Sequence, residues 1–287
     1  MGLVYDYGVL LKPKVLIAML ALYLTTYLTS TLYSGFEPFN VKLFVTGFLA
    51  VAFSVSGANA INCYIDKDID SEMIRTQGRP LVLGTISPFE ALSFGGVTIG
   101  AATVLAFSLG PLPIILLVEG AGSYLLLYSL ILKRRTVANV LFTAPSVAAP
   151  AWFGWHLGGA HLFPVGFLMG VMVAIWGPLH LWSIAFAYEK DYTRVGVPMF
   201  PSVVPRETAI NGMLLALYLL IGSSYFLVPW TGNVLYVFGV TLINFILGYA
   251  GLHLRREKSN RSGWLLFKLT APYIIVVFTL FMACKAV

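Results

Sequence analysis

Nine stretches of about twenty mostly apolar residues follow one another along this 287-residue chain, with only short polar gaps between them. A helix crossing the hydrocarbon core of a bilayer needs roughly 20 such residues. The stretches fall near 14–34, 42–65, 87–108, 111–132, 137–156, 163–188, 207–228, 233–254 and 264–284. A Gly110-Pro111 turn signal separates the third from the fourth. Only 10% of residues are charged, against about 25% in a soluble domain, so a water-soluble fold is excluded. The expectation is an all-α integral membrane protein of about nine transmembrane helices, forming one domain over residues 1–287.

The net charge of +6 does not point to nucleic acid, because the basic residues sit in the gaps between apolar runs. With the N-terminus on the cytoplasmic side, 16 of the 18 lysines and arginines collect on that side, leaving only Lys42 and Lys285 opposite. That asymmetry is the positive-inside pattern, and a miscounted span would scramble it. An uncleaved first helix suits a multi-pass protein of a prokaryotic plasma membrane, with the lipid bilayer as its solvent.

The two longest polar loops, 66–86 and 188–206, share the cytoplasmic side. Each begins with carboxylates and runs through arginine to a Gly-x-Pro, Gly78-Arg79-Pro80 and Gly196-Val197-Pro198. This weak repeat suggests two related helical halves, about 14–156 and 163–284, facing each other. Repeats of this kind also occur in carriers, but carriers hold their polar groups at the midplane. Here the charged clusters lie at helix ends, so a transporter is the lesser reading.

Asn62, Asp66 and Asp70 follow one another at i, i+4 and i+8. Helical geometry lines such side chains along one face, with about 6 Å of rise between neighbours. Two aligned carboxylates near a bilayer are costly unless compensated. Magnesium is the natural compensation: it takes oxygen ligands and is usually held by one or two carboxylates plus substrate phosphates. Arg75 and Arg79 follow and suit phosphate oxygens. The second loop offers Asp191 and Glu189 as further ligands, with Lys190 and Arg194 as phosphate partners. Together the loops describe a metal–diphosphate clamp. Glu119, inside the fourth span, is either functional, or protonated, or paired with a polar group such as Ser123 on its own helix.

These strings resemble the UbiA-type intramembrane prenyltransferases, and within them the branch acting on haem. Asn62 to Leu81, reading NCYIDKDIDSEMIRTQGRPL, is similar to that branch's first signature. The stretches Tyr128–Thr136 (YSLILKRRT), Trp176–Trp182 (WGPLHLW) and Asp191–Met199 (DYTRVGVPM) resemble its later ones, in matching order. The resemblance implies a helical bundle with a central cavity open to the cytoplasmic side. It implies transfer of a farnesyl group from farnesyl diphosphate to a vinyl group of haem B. Magnesium would be held by Asn62, Asp66, Asp70 and Asp191. Arg75, Arg79, Lys133, Arg134 and Arg194 would receive the diphosphate, with Tyr128 and Tyr188 beside it. Tyr188 stands roughly where other UbiA-type enzymes carry a second aspartate, a departure shared with the haem branch. A haem A synthase or a haem–copper oxidase assembly would be the implied partners. An aromatic quinone precursor or a lipid remains the alternative acceptor. His180, two turns before Tyr188, is either a packing residue or a catalytic group, as a base for added water or a contact to haem.

Overall fold

The computed structural model describes residues 2–35 and 39–286, apart from the side chain of Leu162, and these are helical or in turns, with no strand. A short helix α1 (Leu3–Leu10) precedes α2 (Pro13–Tyr33) and α3 (Val41–Ile65), and α3 is followed at once by α4 (Lys67–Glu72). Then come α5 (Pro88–Phe107), α6 (Pro111–Leu132), α7 (Ala144–Leu157) and α8 (Phe163–Ala187). The chain ends with α9 (Glu189–Arg194), α10 (Arg206–Tyr225), α11 (Val234–Glu257) and α12 (Asn260–Ala286).

Among the described residues, eight helices are long and apolar enough to cross a membrane: α2, α3, α5, α6, α8, α10, α11 and α12. The expected fifth span is composite. A 3-10 turn, Asn139–Thr143, leads into α7, which has only 14 residues and carries Pro150 in its interior. Proline removes a backbone donor and resists a long regular helix. Elsewhere the boundaries follow local capping chemistry. Asn40 accepts from Leu43 N at 2.9 Å, Asn233 accepts from Leu235 N at 2.9 Å, and Ser87 and Glu90 form a reciprocal capping box ahead of Pro88.

The bundle is apolar outside and polar in places inside, the reverse of a soluble protein. Phe238, Leu242 and Phe245 of α11 stand exposed, as lipid-facing side chains do. Asn244, on the same helix, is buried and joins Ser224 and Tyr273 in a hydrogen-bonded chain at 2.9 and 2.7 Å. Such polar contacts tie helices where the surrounding lipid gives no hydrophobic drive. The helix that carries the acids is seated by glycine: a Cβ on Gly57 of α3 would lie 2.6 Å from Gly95 O of α5. The first and last spans are parallel neighbours. Their C-terminal ends meet where Tyr33 stacks on Phe281 at 6.1 Å and the Lys285 ammonium sits 4.5 Å from the Tyr33 ring centre.

Candidate active site

Asn62, Asp66 and Asp70 stack along one inward face where α3 gives way to α4. Helical bonding runs through the junction, with Asp66 N donating to Asn62 O at 2.9 Å and Asp70 N to Asp66 O at 2.8 Å. The three are 2%, 2% and 4% exposed. Asp68, off that face, is exposed.

Each rung of this ladder is met by a cation from a different element. Asp66 Oδ2 accepts from Lys133 Nζ at 2.5 Å and from Asn62 Nδ2 at 3.0 Å. Asp70 pairs with Arg79. Desolvation works against the charge on Arg79, yet the Asp70 carboxylate beside it carries its pKa above the ordinary value. Asn62 Oδ1 accepts from Lys12 Nζ, which also lies 3.3 Å from the Tyr124 hydroxyl. Burial in this corner pushes the Lys12 ammonium pKa down.

Lys133 is delivered by an unusual helix end. The last ten residues of α6, Ser123–Leu132, wind as a π-helix, and Ser129 Oγ donates to Tyr124 O, five residues back, at 2.8 Å. Such segments concentrate at functional sites. The wider turn stacks Tyr124 on Tyr128 at 6.1 Å, sets Lys133 Nζ 5.8 Å from the Tyr128 ring, and lets Ser129 Oγ accept from Asn62 Nδ2 at 2.8 Å.

The second loop faces the first. Ile69 and Met73 share one buried cluster with Tyr192, Val197 and Met199. Asp191 is 5% exposed, and Arg194 reaches it at 3.7 Å while donating to Glu72 O of the first loop at 3.3 Å. Arg75 lies 5.9 Å from the Tyr188 ring. Asn139 Nδ2 donates to both Lys133 O (3.1 Å) and Pro198 O (3.3 Å), tying the two sides together.

Three residues named from the sequence have other partners in this structure. Glu189 does not join the ladder: it pairs with Arg206 at 2.7 Å, and Arg206 also donates to Asn260 Oδ1 at 2.8 Å. Arg134 grips Asp68 through both nitrogens at 2.6 and 2.7 Å near the surface, holding that carboxyl below the usual carboxylate range. In this structure it is the ion-pair partner of Asp68. Ser123 Oγ donates to the Glu119 backbone oxygen at 2.7 Å and lies near the Glu119 carboxyl, whose buried oxygens make no full hydrogen bond.

His180 lies between Trp176 and Phe267, with ring centres at 4.9 and 4.4 Å. Its Nδ1 is 3.0 Å from Thr270 Oγ1, and the Thr270 hydroxyl donates to Phe267 O at 2.9 Å. With the hydroxyl proton on Phe267 O, Nδ1–H donates to Thr270 Oγ1 and a neutral ring carries its lone pair on Nε2; in the other tautomer Thr270 donates to Nδ1. None of its hydrogen bonds is to a ladder residue.

Sequence reading missed Lys12, Ser129, Asn139 and Arg206. Lys12 and Arg206 looked like ordinary flanking charge, and nothing local distinguishes the other two. The residues present suit a hard cation. Asp66 Oδ1 is a buried carboxylate oxygen without a hydrogen-bond partner, on the same face as two further oxygen donors. Among the described residues no three His, Cys, Asp or Glu side chains converge closely enough to hold a metal alone. An ion here would draw on Asn62, Asp66 and Asp70 and take the rest of its shell from phosphate oxygens and water, as magnesium does.

A polytopic helical bundle with acids and bases interleaved at one end defines an intramembrane enzyme handling a phosphorylated, lipid-soluble substrate. The chain belongs to the UbiA prenyltransferase family, which it matches over residues 22–272. It is 39% identical to the protoheme IX farnesyltransferase of Desulforudis audaxviator, over 84% of this chain and 77% of that one. It is 33% identical to the protein of that name from Symbiobacterium thermophilum, over 97% and 93%. Among solved structures it resembles a digeranylgeranylglyceryl phosphate synthase, with TM-score 0.78, 19% identity and 100% coverage of both chains. It also resembles a UbiA homologue from Archaeoglobus fulgidus bound to DMAPP and Mg2+, with TM-score 0.71, 16% identity and 98% and 99% coverage. At those identities the structural likeness is one of fold.

Proposed function

We propose that this chain transfers a farnesyl group from farnesyl diphosphate to a vinyl group of haem B, yielding haem O and diphosphate. The single observation that carries the reading is the two-loop clamp, an acid ladder interleaved with cations, in a chain whose relatives bear the name protoheme IX farnesyltransferase.

The chemistry demands such a site. The allylic C–O bond breaks, and its electron pair leaves with the diphosphate. The vinyl terminal carbon bonds to the farnesyl cation, water adds to the neighbouring carbon, and one proton is released. Nothing is oxidised or reduced. The barrier lies in separating a carbocation from a highly charged leaving group, so stabilising that group is the main task. A bound magnesium ion would supply part of that stabilisation, held by Asn62, Asp66 and Asp70, with Asp191 from the facing loop. Lys133 and Arg79, already paired with the ladder carboxylates, suit phosphate oxygens. Arg75 and Arg194 border the same loops, with Tyr128 and Tyr188 beside them. The apolar interior above the ladder suits the isoprenoid and keeps water from the cation. In the tautomer whose Nδ1–H donates to Thr270, His180 Nε2 would accept the proton of the added water.

The same reading puts the acid end of the bundle in the cytoplasm of a plasma-membrane protein and leaves room for hand-over of product to a haem A synthase or a haem–copper oxidase assembly. The test is incubation of membranes with haem B, farnesyl diphosphate and magnesium. We expect product of haem O mass, reduced at least about 100-fold in Asp66→Ala and Asp70→Ala, the scale of losing a preorganised electrostatic group. Prenylation of a benzoate, a naphthoate or a glycerol phosphate instead would overturn the haem acceptor and leave the prenyl transfer standing.

A further inference from the structure

Of the three cations at the ladder, one has no carboxylate in hydrogen-bond contact, although Asp66 and Asp70 act on it through space. Lys133 meets the Asp66 carboxylate and Arg79 meets that of Asp70. In direct contact Lys12 has only neutral groups: the amide oxygen of Asn62, the hydroxyl of Tyr124 and, at 6.0 Å, the Tyr124 ring. Asn62 is also the deepest rung, one turn inside α3 from Asp66.

The chain goes to some trouble to hold this ammonium inward. Lys12 has φ 50° and ψ 70°, a left-handed conformation that costs a residue with a side chain about 1–2 kcal/mol. Pro13 follows it, and Asn59, one turn before Asn62 on the same helix, donates to Leu11 O at 2.9 Å. Leu10 is buried in a cluster with Ala60 and Cys63 of that helix. Two residues on, Lys14 is exposed, as a lysine free to reach the headgroups should be. Strained geometry of this kind persists where surrounding contacts enforce it, and it gathers at functional sites.

We propose that Lys12 is a leaving-group residue, whose ammonium takes a phosphate oxygen of the prenyl diphosphate at the deep end of the ladder and releases Asn62 Oδ1 for other ligands. The assignment rests on the prenyl transfer proposed above and adds the α1–α2 junction to its diphosphate site. Lys12→Gln keeps a donor for Asn62 Oδ1 and removes only the charge, so it separates anion binding from mere support of Asn62.

The experiment is equilibrium binding of inorganic pyrophosphate, with magnesium present, to the purified full-length protein in detergent. We expect Lys12→Gln to weaken binding about 10- to 100-fold, the scale of one charge-assisted hydrogen bond. Lys12→Arg should recover most of the loss, and Lys14→Gln should bind as the parent does. If Lys12→Gln does not fold, Lys12→Met carries the same expectation. Parent-like pyrophosphate binding by the uncharged variant, alongside clear loss in Asp66→Ala, would overturn the role of Lys12 alone. Failure of the parent to bind magnesium pyrophosphate, or binding indifferent to Asp66→Ala, would overturn the diphosphate site itself and this assignment with it.

Discussion

At the scale of single residues, burial and hydrogen-bond bookkeeping assign roles that residue type alone leaves open. His180 is the clearest instance. Its ring is clamped between two aromatics, and Thr270 bonds its Nδ1, so the tautomer follows from where the Thr270 proton goes. If Nε2 accepts the proton of the added water, His180→Ala should lower kcat at least about 100-fold. Thr270→Val, which removes the acceptor for Nδ1–H, should lower it about tenfold, the order of one hydrogen bond. Single-turnover assays of both variants check this, with melting temperatures to confirm that they fold. Near-parental kcat in His180→Ala would reduce His180 to a packing residue.

At the scale of elements, the position of the ladder depends on how closely α3 approaches α5. Gly57 and Gly95 let the two backbones come together, and any side chain at Gly57 must displace backbone. We expect Gly57→Leu to destabilise the protein by about 1–3 kcal/mol, the usual cost of overpacking. Gly100→Leu, on α5 with nothing within 4 Å of its added Cβ, should be neutral. Thermal unfolding of both variants in one detergent decides it. Hydropathy made the spans readable because each helix must bury about twenty apolar residues in lipid, and the i, i+4, i+8 spacing made the ladder readable because backbone bonding persists through the α3–α4 junction. Other features were illegible. The inward turn of Lys12 toward Asn62 and the capture of Glu189 by Arg206 depend on partners 50 and 17 positions away, and the π-helical end of α6 and the break at Asn139–Thr143 leave no period in the sequence. Local pattern carries no trace of such partners.

At the scale of the whole molecule, charge distribution makes a claim about orientation. The ladder, its cations and the second acid loop gather at one end of the bundle, while Lys42 and Lys285 flank the other ends of their helices. Ser71 is exposed at the charged end, and Cys63 and Cys284 are both buried, so background labelling should be low. We expect Ser71→Cys to react with a membrane-impermeant maleimide in inverted vesicles and to be protected in right-side-out ones. The opposite pattern would reverse the orientation.

The parallel pairing of α2 with α12 has a consequence for assembly. Antiparallel neighbours can be stitched by a hairpin as soon as both have emerged, but two helices running the same way have no connecting loop to draw them together. The seam between α2 and α12 must therefore wait until α12 has been synthesised, and it holds by contacts such as Tyr33 with Phe281 and Lys285. A ribosome that stopped short of Asn260 would leave the first helix with an unclaimed flank, a natural mark for membrane quality control.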